Sequence, residues 1–123
     1  MFWIDEQGTI NLSVGDTASF TISATGYTFD NDDRALWTVK NNQNKVVFER
    51  AYPLVSNDLE NGVFQVNLIN SDTDMLAPGD YNWDVRYIIH PYYDSKGRIF
   101  DGDQVITPKE AQKLKLLPVI GEV

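Results

Sequence analysis

The chain has no cysteine and only one histidine, His90, among its 123 residues. Without cysteine there can be no disulfide, zinc–thiolate site or thiol nucleophile. A metal site built on two imidazoles is excluded as well. His90 follows an alternating apolar run and precedes Pro91, which favours a histidine at a strand end or on the surface. A Ser-His-Asp arrangement is formally possible, although no nucleophile elbow accompanies it.

Positive charge and long apolar runs are also scarce. Ten basic residues against eighteen acidic ones give a net charge of −8, which disfavours contact with phosphate backbones and anionic membranes. No apolar run approaches the roughly 20 residues of a membrane-spanning helix. The first ten residues, MFWIDEQGTI, lack the basic region and apolar core of a signal peptide. We therefore expect synthesis in the cytoplasm and no nucleic-acid or membrane partner.

The chain does contain short runs in which apolar and polar residues alternate, separated by turn signals about every ten residues. Successive side chains of a strand point to opposite faces, so alternation predicts sheets with one buried side. The clearest runs are 10–14, 18–24, 35–39, 46–48, 64–68 and 81–89. We predict one all-β domain, residues 1–123, folded as an antiparallel β-sandwich of about seven strands. A closed barrel has the same periodicity and is the alternative.

Two segments are compatible with short helical turns. Residues 70–77 could form one turn before the corner at Pro78. Residues 107–112 start with Thr-Pro-Lys-Glu, where Thr would cap the turn and Pro would be its first residue. Alternatively, Leu114 and Leu116, and with them Val119, could form a final strand.

Aromatic residues make up 12% of the chain, and their phase separates core from surface. Trp37 and Trp83 lie in phase with neighbouring apolar residues and are predicted to be core. Trp3, Tyr92 and Tyr93 lie in terminal or irregular segments and are the candidates for exposure. Tyr92 and Tyr93 fall within residues 90–103, which are long for a simple connection and predict a protruding hairpin or a loop. Exposed aromatics could contact another protein or stack on sugar rings.

Acidic residues cluster at 30–33, 72–74 and 101–103. Calcium takes six to eight oxygen ligands, which clustered Asp side chains in loops can supply. None of the clusters matches an EF-hand loop, and solvated turns are the ordinary interpretation. Asp30, Asp32 and Asp33 form the best calcium candidate. Beyond it we predict no metal, no cofactor and no catalytic residue.

The segment Leu76-Ala77-Pro78-Gly79-Asp80-Tyr81 resembles the tyrosine corner of immunoglobulin-like domains. There, a Tyr at the start of a late strand bonds back to the preceding backbone. The wider order of turns and strands, over residues 9 to 90, resembles the small immunoglobulin-like domains of tailed-phage upper-baseplate and tail proteins. The matching pieces are 14–17, 37–40, 46–48, 61–64 and 76–85. The chain departs from that pattern after His90, where those domains close with a brief hairpin.

The resemblance implies a non-enzymatic structural protein of a phage or prophage tail or baseplate. Its partners would be other tail proteins and further copies of itself, and it would reside in the virion after synthesis in the bacterial cytoplasm. Tyr81, Trp37, Trp83 and Gly79 would then serve stability, and Trp3, Tyr92 and Tyr93 would be available for contacts. A carbohydrate-binding β-sandwich module is the alternative. A small hydrolase is a third interpretation, which no motif supports.

Overall fold

The computed structural model describes residues 1–108 and 111–118. The strands it describes are β1 (Phe2–Ile4), β2 (Ile10–Ser13), β3 (Ala18–Ile22), β4 (Arg34–Lys40), β5 (Val46–Pro53), β6 (Phe64–Leu68), β7 (Gly79–Tyr93), β8 (Ile99–Ile106) and β9 (Gln112–Leu117). A single 3₁₀ turn spans Leu59–Asn61, and a one-turn helix, α1, spans Asn70–Thr73. The all-β prediction is confirmed. Among the described residues, no helix has the length and apolar character needed to cross a membrane.

The strands form two sheets. The large sheet has the order β1-β2-β9-β7-β4-β5, with β8 paired to a further part of β7, and the small sheet consists of β3 and β6. The prediction of a purely antiparallel arrangement is wrong for one pair, because β2 and β9 run parallel. Alternation reports which face of a strand is buried and carries no information about the direction of its neighbour. The other pairs are antiparallel.

The apolar faces of the two sheets pack against each other. Phe20 on the small sheet lies edge-on to Trp37 on the large sheet, with ring centroids 5.9 Å apart. Phe64 makes the same kind of contact with Tyr87, also at 5.9 Å. Edge-to-face packing at this separation is favourable beyond the area it buries. The two sheets share no strand in the described chain, so the barrel alternative is not what is observed.

Trp37 and Trp83, both predicted to be core, differ in how deeply they are buried. Trp37 is 1% exposed, as predicted. Trp83 is only partly buried at the core margin, where its indole N–H donates to the Lys113 carbonyl at 3.2 Å. Tyr81 is buried, and its hydroxyl donates to the Ala77 carbonyl at 2.6 Å. Gly79 opens the strand with φ +147°, a backbone conformation that strains any other residue.

The helical turn predicted within 70–77 is confirmed by α1. The turn predicted at 107–112 lies partly on Lys109 and Glu110, which are outside the described residues. Its last residue, Gln112, begins β9, and Leu114 and Leu116 pair with the inner positions of β2. The final-strand alternative is therefore confirmed for Leu114 and Leu116, whereas Val119 lies outside the described residues.

Strand β7 is 15 residues long and changes neighbours along its length. Its first part pairs with β9 over 79–83 and with β4 over 82–88. Its last part pairs with β8 over 87–93. The β7–β8 hairpin thus continues past the end of β4, and we call residues 90–104 the arm. Of the two alternatives predicted for residues 90–103, a loop and a protruding hairpin, the strand pairing corresponds to a hairpin.

Candidate functional site

The arm is closed by a turn that its own sequence specifies. The Asp94 carboxylate accepts hydrogen bonds from the backbone N–H groups of Lys96 and Arg98, both at 2.9 Å. Gly97 adopts φ +79°, which glycine tolerates without strain. The N–H of Arg98, followed by that of Lys96, lowers the pKa of Asp94. The turn therefore holds the two arm strands in register at their far end.

The arm carries exposed aromatic side chains. Tyr92, Tyr93 and Phe100 are 45%, 49% and 67% exposed, and the rings of Tyr92 and Phe100 lie 6.4 Å apart at a tilt of 52°. Exposure of Tyr92 and Tyr93 is as predicted. Phe100 is not among the residues predicted to be exposed. Its only signal in the sequence is its position beside Ile99, shortly after the Ser-Lys-Gly turn.

Trp3, the third residue predicted to be exposed, is 42% exposed. It lies on β1, which pairs with β2 at the opposite end of the sheet order from β4 and β5. The structure therefore does not join Trp3 to Tyr92 and Tyr93 in one element.

The base of the arm is a polar cluster centred on His90. Its Nδ1 lies 3.0 Å from Asp103 Oδ2 across the hairpin, and its Nε2 lies 3.3 Å from Asp30 Oδ2 and 3.9 Å from Asp32 Oδ2. The Tyr92 hydroxyl donates to the other oxygen of Asp103. The expected histidine at a strand end is in fact within β7, at φ +47°. The imidazole thus bridges the arm to the loop before β4.

Asp33, one of the three calcium candidates, has a different role. It is 1% exposed, and its two carboxylate oxygens accept from the backbone N–H groups of Asp30 (2.7 Å) and His90 (3.0 Å). A buried carboxylate needs such partners because desolvation of an unpaired charge is costly. Asp33 therefore fixes the loop against β7 and turns away from the exposed cluster.

The cluster shifts the pKa values of its members. The hydrogen bond to Asp103 raises the pKa of His90, with further contributions from Asp30 and the charge of Asp32. The Tyr92 hydroxyl and then His90 lower the pKa of Asp103. Conversely, Asp103 raises the pKa of the Tyr92 phenol. These shifts have the same cause. A hydrogen bond or an opposite charge stabilises the protonation state that makes the interaction, and the pKa moves in the direction that favours that state.

The same cluster brings together three groups able to bind a metal. One ligand atom each from Asp30, Asp32 and His90 lie within 4.8 Å of one another, all on exposed side chains. Three protein ligands are fewer than the six to eight that calcium takes. Of the predicted calcium residues the structure therefore assembles two, replaces the third by His90, and leaves an exposed, incomplete ligand set.

A groove of about 600 Å³ lies between the tip of the arm and the outer face of β4 and β5. Its lining residues come from all three elements and are Arg34, Leu36, Glu49, Arg50, Ala51, Tyr93, Asp94, Gly97, Arg98 and Ile99. The groove has no signature in the sequence, because its residues are up to 65 positions apart and show no common spacing.

Comparisons with family models, with curated proteins and with solved structures find no match to this chain.

Proposed function

We propose that the chain is an immunoglobulin-like sandwich that serves as a non-enzymatic structural protein of a phage or prophage tail or baseplate. It acts through protein–protein contacts made by the arm. Its partners are other tail proteins and further copies of itself, and it resides in the virion. The observation that carries the proposal is an element that extends past the sheet packing and exposes Tyr92, Tyr93 and Phe100.

The arrangement of the strands supports the immunoglobulin-like part of the proposal. In such domains the strands called B and E share one sheet, and C, F and G share the other. Here β3 and β6 share the small sheet, and β4, β7 and β9 are neighbours in the large sheet. The Tyr81 hydroxyl, bonded to the carbonyl four residues upstream, has the geometry of a tyrosine corner.

The arm supports the interaction part. Tyrosine and other aromatic residues are enriched in protein–protein interfaces, where they contribute large contact areas with few rotatable bonds. In the described chain β8 pairs with β7 alone, so its outer edge presents backbone N–H and C=O groups to a partner strand. The carbohydrate-binding alternative uses the same exposed rings. The 52° tilt between Tyr92 and Phe100 does not form a flat platform for a sugar.

The proposal is tested by coexpressing the protein with the products of its neighbouring genes and measuring the masses of the complexes in solution. We expect a complex that Phe100→Ser weakens. Met75→Ser is the matched control, because Met75 is 90% exposed and lies just after α1, outside the arm. A strict monomer that binds none of these products would contradict the proposal. Binding of one member of a glycan panel, measured by isothermal titration calorimetry and lost in Phe100→Ser, would favour the carbohydrate alternative instead.

A further inference from the structure

Three of the four arginines of the chain carry their charge at the groove beside the arm. Arg34 and Arg98 line it, and Arg86 lies 3.6 Å from the carboxylate of Glu49, which is also in the lining. Arg50 is in the lining too, but it lies opposite the inward-facing Trp37, and its guanidinium pairs with Asp72 on the other face of β5. The three remaining guanidinium groups contrast with the chain as a whole, which carries a charge of −8.

The carboxylates in the groove are already engaged. Glu49 accepts a hydrogen bond from the Thr38 hydroxyl at 2.7 Å and pairs with Arg86. Asp94 holds the backbone of its own turn, and its second oxygen lies 3.3 Å from Arg98 Nε. The charge of Glu49 is therefore opposed by that of Arg86, and Asp94 is held mainly by the backbone of its own turn.

The arginines differ in how far their charges are compensated. Arg50 pairs with Asp72 at 2.9 Å. Arg34 donates through Nη1 to the carbonyl oxygens of Asn31 and Asp33, both at 2.9 Å, and has no carboxylate partner in the described chain. Arg98 is 71% exposed, so its contact with Asp94 is weakened by solvent. Arg34 and Arg98 therefore remain available to an anionic ligand from opposite sides of the groove.

We propose that the groove binds an acidic peptide segment of a partner protein, with Arg34 and Arg98 pairing with its carboxylates. Guanidinium groups match the planar carboxylate geometry and form two parallel hydrogen bonds with it. Leu36, Tyr93 and Ile99 line the same space and provide apolar contact for the aliphatic parts of the segment. This combination suits a peptide, which offers charge and apolar surface together, better than a small inorganic anion.

The inference rests on the proposed function, since it names the partner chemistry of the arm. It is tested without any tail component, so the two can fail separately. The probe is a fluorescein-labelled octapeptide of alternating Glu and Ala, with a Gln-Ala octapeptide as its uncharged counterpart. Binding is followed by fluorescence anisotropy at about 50 mM and about 0.5 M salt, because screening of exposed pairs grows over this range. We expect binding of the Glu peptide, weakened by salt, and none of the Gln peptide.

The variants Arg98→Gln and Arg34→Gln should each raise the Kd of the Glu peptide about tenfold, the loss expected for a charge-assisted hydrogen bond. Lys115→Gln is the control. It removes the same charge from an exposed position on β9, outside the groove, and should change the Kd less than about twofold, as a distant charge does. Circular dichroism and the Tm check that each variant is folded. If Arg34→Gln does not fold, the Kd of Arg98→Gln, which changes an exposed turn residue, still tests the proposal.

Equal effects of Arg98→Gln and Lys115→Gln would overturn the proposal, because only net charge would then matter. Equal binding of the two octapeptides would overturn it as well. Displacement of the Glu peptide by inorganic phosphate at a similar affinity would reduce the groove to a general anion site and would also contradict it. Peptide-induced dissociation of a homo-oligomer would identify the acidic segment as part of a second copy and would support the proposal.

Discussion

The two halves of β7 use the same kind of residue in opposite ways. Tyr81 and Tyr87 are buried, and their hydroxyls donate to the carbonyls of Ala77 and Gly62 at 2.6 and 2.7 Å. Tyr92 and Tyr93, a few residues further along the strand, are exposed. The first half is covered by the small sheet, and the second half extends past it. Burial of a strand face therefore depends on the second layer, which alternation alone does not reveal.

His90 marks the junction between these halves. It adopts a positive φ within the strand, and its ring and backbone contact the loop that Asp33 anchors. The arm is thus fixed at its base by polar contacts. The two packed sheets outside the arm, which we call the body, are held by apolar packing. This difference makes the body sensitive to loss of volume and the arm sensitive to loss of specific partners and to pH.

The largest difference between body and arm is expected from truncation of an aromatic ring. Trp37→Ala should lower the free energy of unfolding by about 3–5 kcal/mol, because it leaves a cavity between the sheets. Phe100→Ala, the matched change on the arm, should stay within about 0.5 kcal/mol. Urea denaturation of both variants measures the difference. Similar losses for the two would mean that the arm is packed as tightly as the body.

The close packing of β8 against β7 at the base of the arm is tested by Gly102→Ala. A Cβ at Gly102 would lie 2.5 Å from Ile88 Cγ2 and 2.7 Å from the Ile89 carbonyl oxygen. Overpacking of this kind costs about 1–3 kcal/mol, so we expect a corresponding drop in the free energy of unfolding. Gln104→Ala, two residues further along β8 and exposed, is the control and should be nearly neutral. If Gly102→Ala is neutral too, β8 lies further from β7 than the structure shows.

A smaller effect is expected from removal of one buried hydroxyl. Tyr81→Phe should lower the free energy of unfolding by about 1 kcal/mol, since the Ala77 carbonyl loses its donor. Tyr93→Phe removes an exposed hydroxyl from the same strand and should leave stability unchanged. Thermal unfolding of the two variants is the measurement. A neutral Tyr81→Phe would argue against a tyrosine corner.

The smallest effect concerns pH and arises from His90 at the base of the arm. Because His90 is the single histidine, its ring protons can be followed by NMR without assignment. We expect a pKa above the ordinary 6.5, and a decrease in Asp103→Asn, which removes the largest cause of the shift. Asp101→Asn, with no hydrogen bond to the imidazole, is the control and should decrease it less. A pKa unchanged by Asp103→Asn would contradict the bridge.

The sign of the accompanying stability effect follows from linkage. A raised pKa means that the folded protein binds the proton more tightly than the unfolded chain. The stabilisation from His90 is therefore fully present below pH 6.5, the unfolded value, and is lost as the pH rises through the higher folded pKa. His90→Gln should remove this part of the pH dependence.

Much of the body could be predicted from local pattern. Alternation located the strands that carry Trp37 and Tyr87, and the Pro78-Gly79 corner located the start of β7. The loop before β4 shows the limit of that approach. Its sequence is polar and acidic, yet Phe29 within it is buried and stacks on Tyr87 at 4.7 Å. An isolated aromatic in a polar segment has no periodicity, so its burial depends on the surface that the rest of the chain provides.

The amino-acid sequence by itself determined the all-β character, the turns and the inward face of most strands, because these depend on neighbours two to four residues apart. Only the tertiary structure decided which residues distant in sequence come into contact. The parallel pairing of β2 with β9, the contact of His90 with Asp30 and Asp103, and the approach of Arg34 to Arg98 join positions 13 or more residues apart. Such contacts depend on how the two sheets pack and on where β7 extends past the small sheet, and no local spacing encodes them.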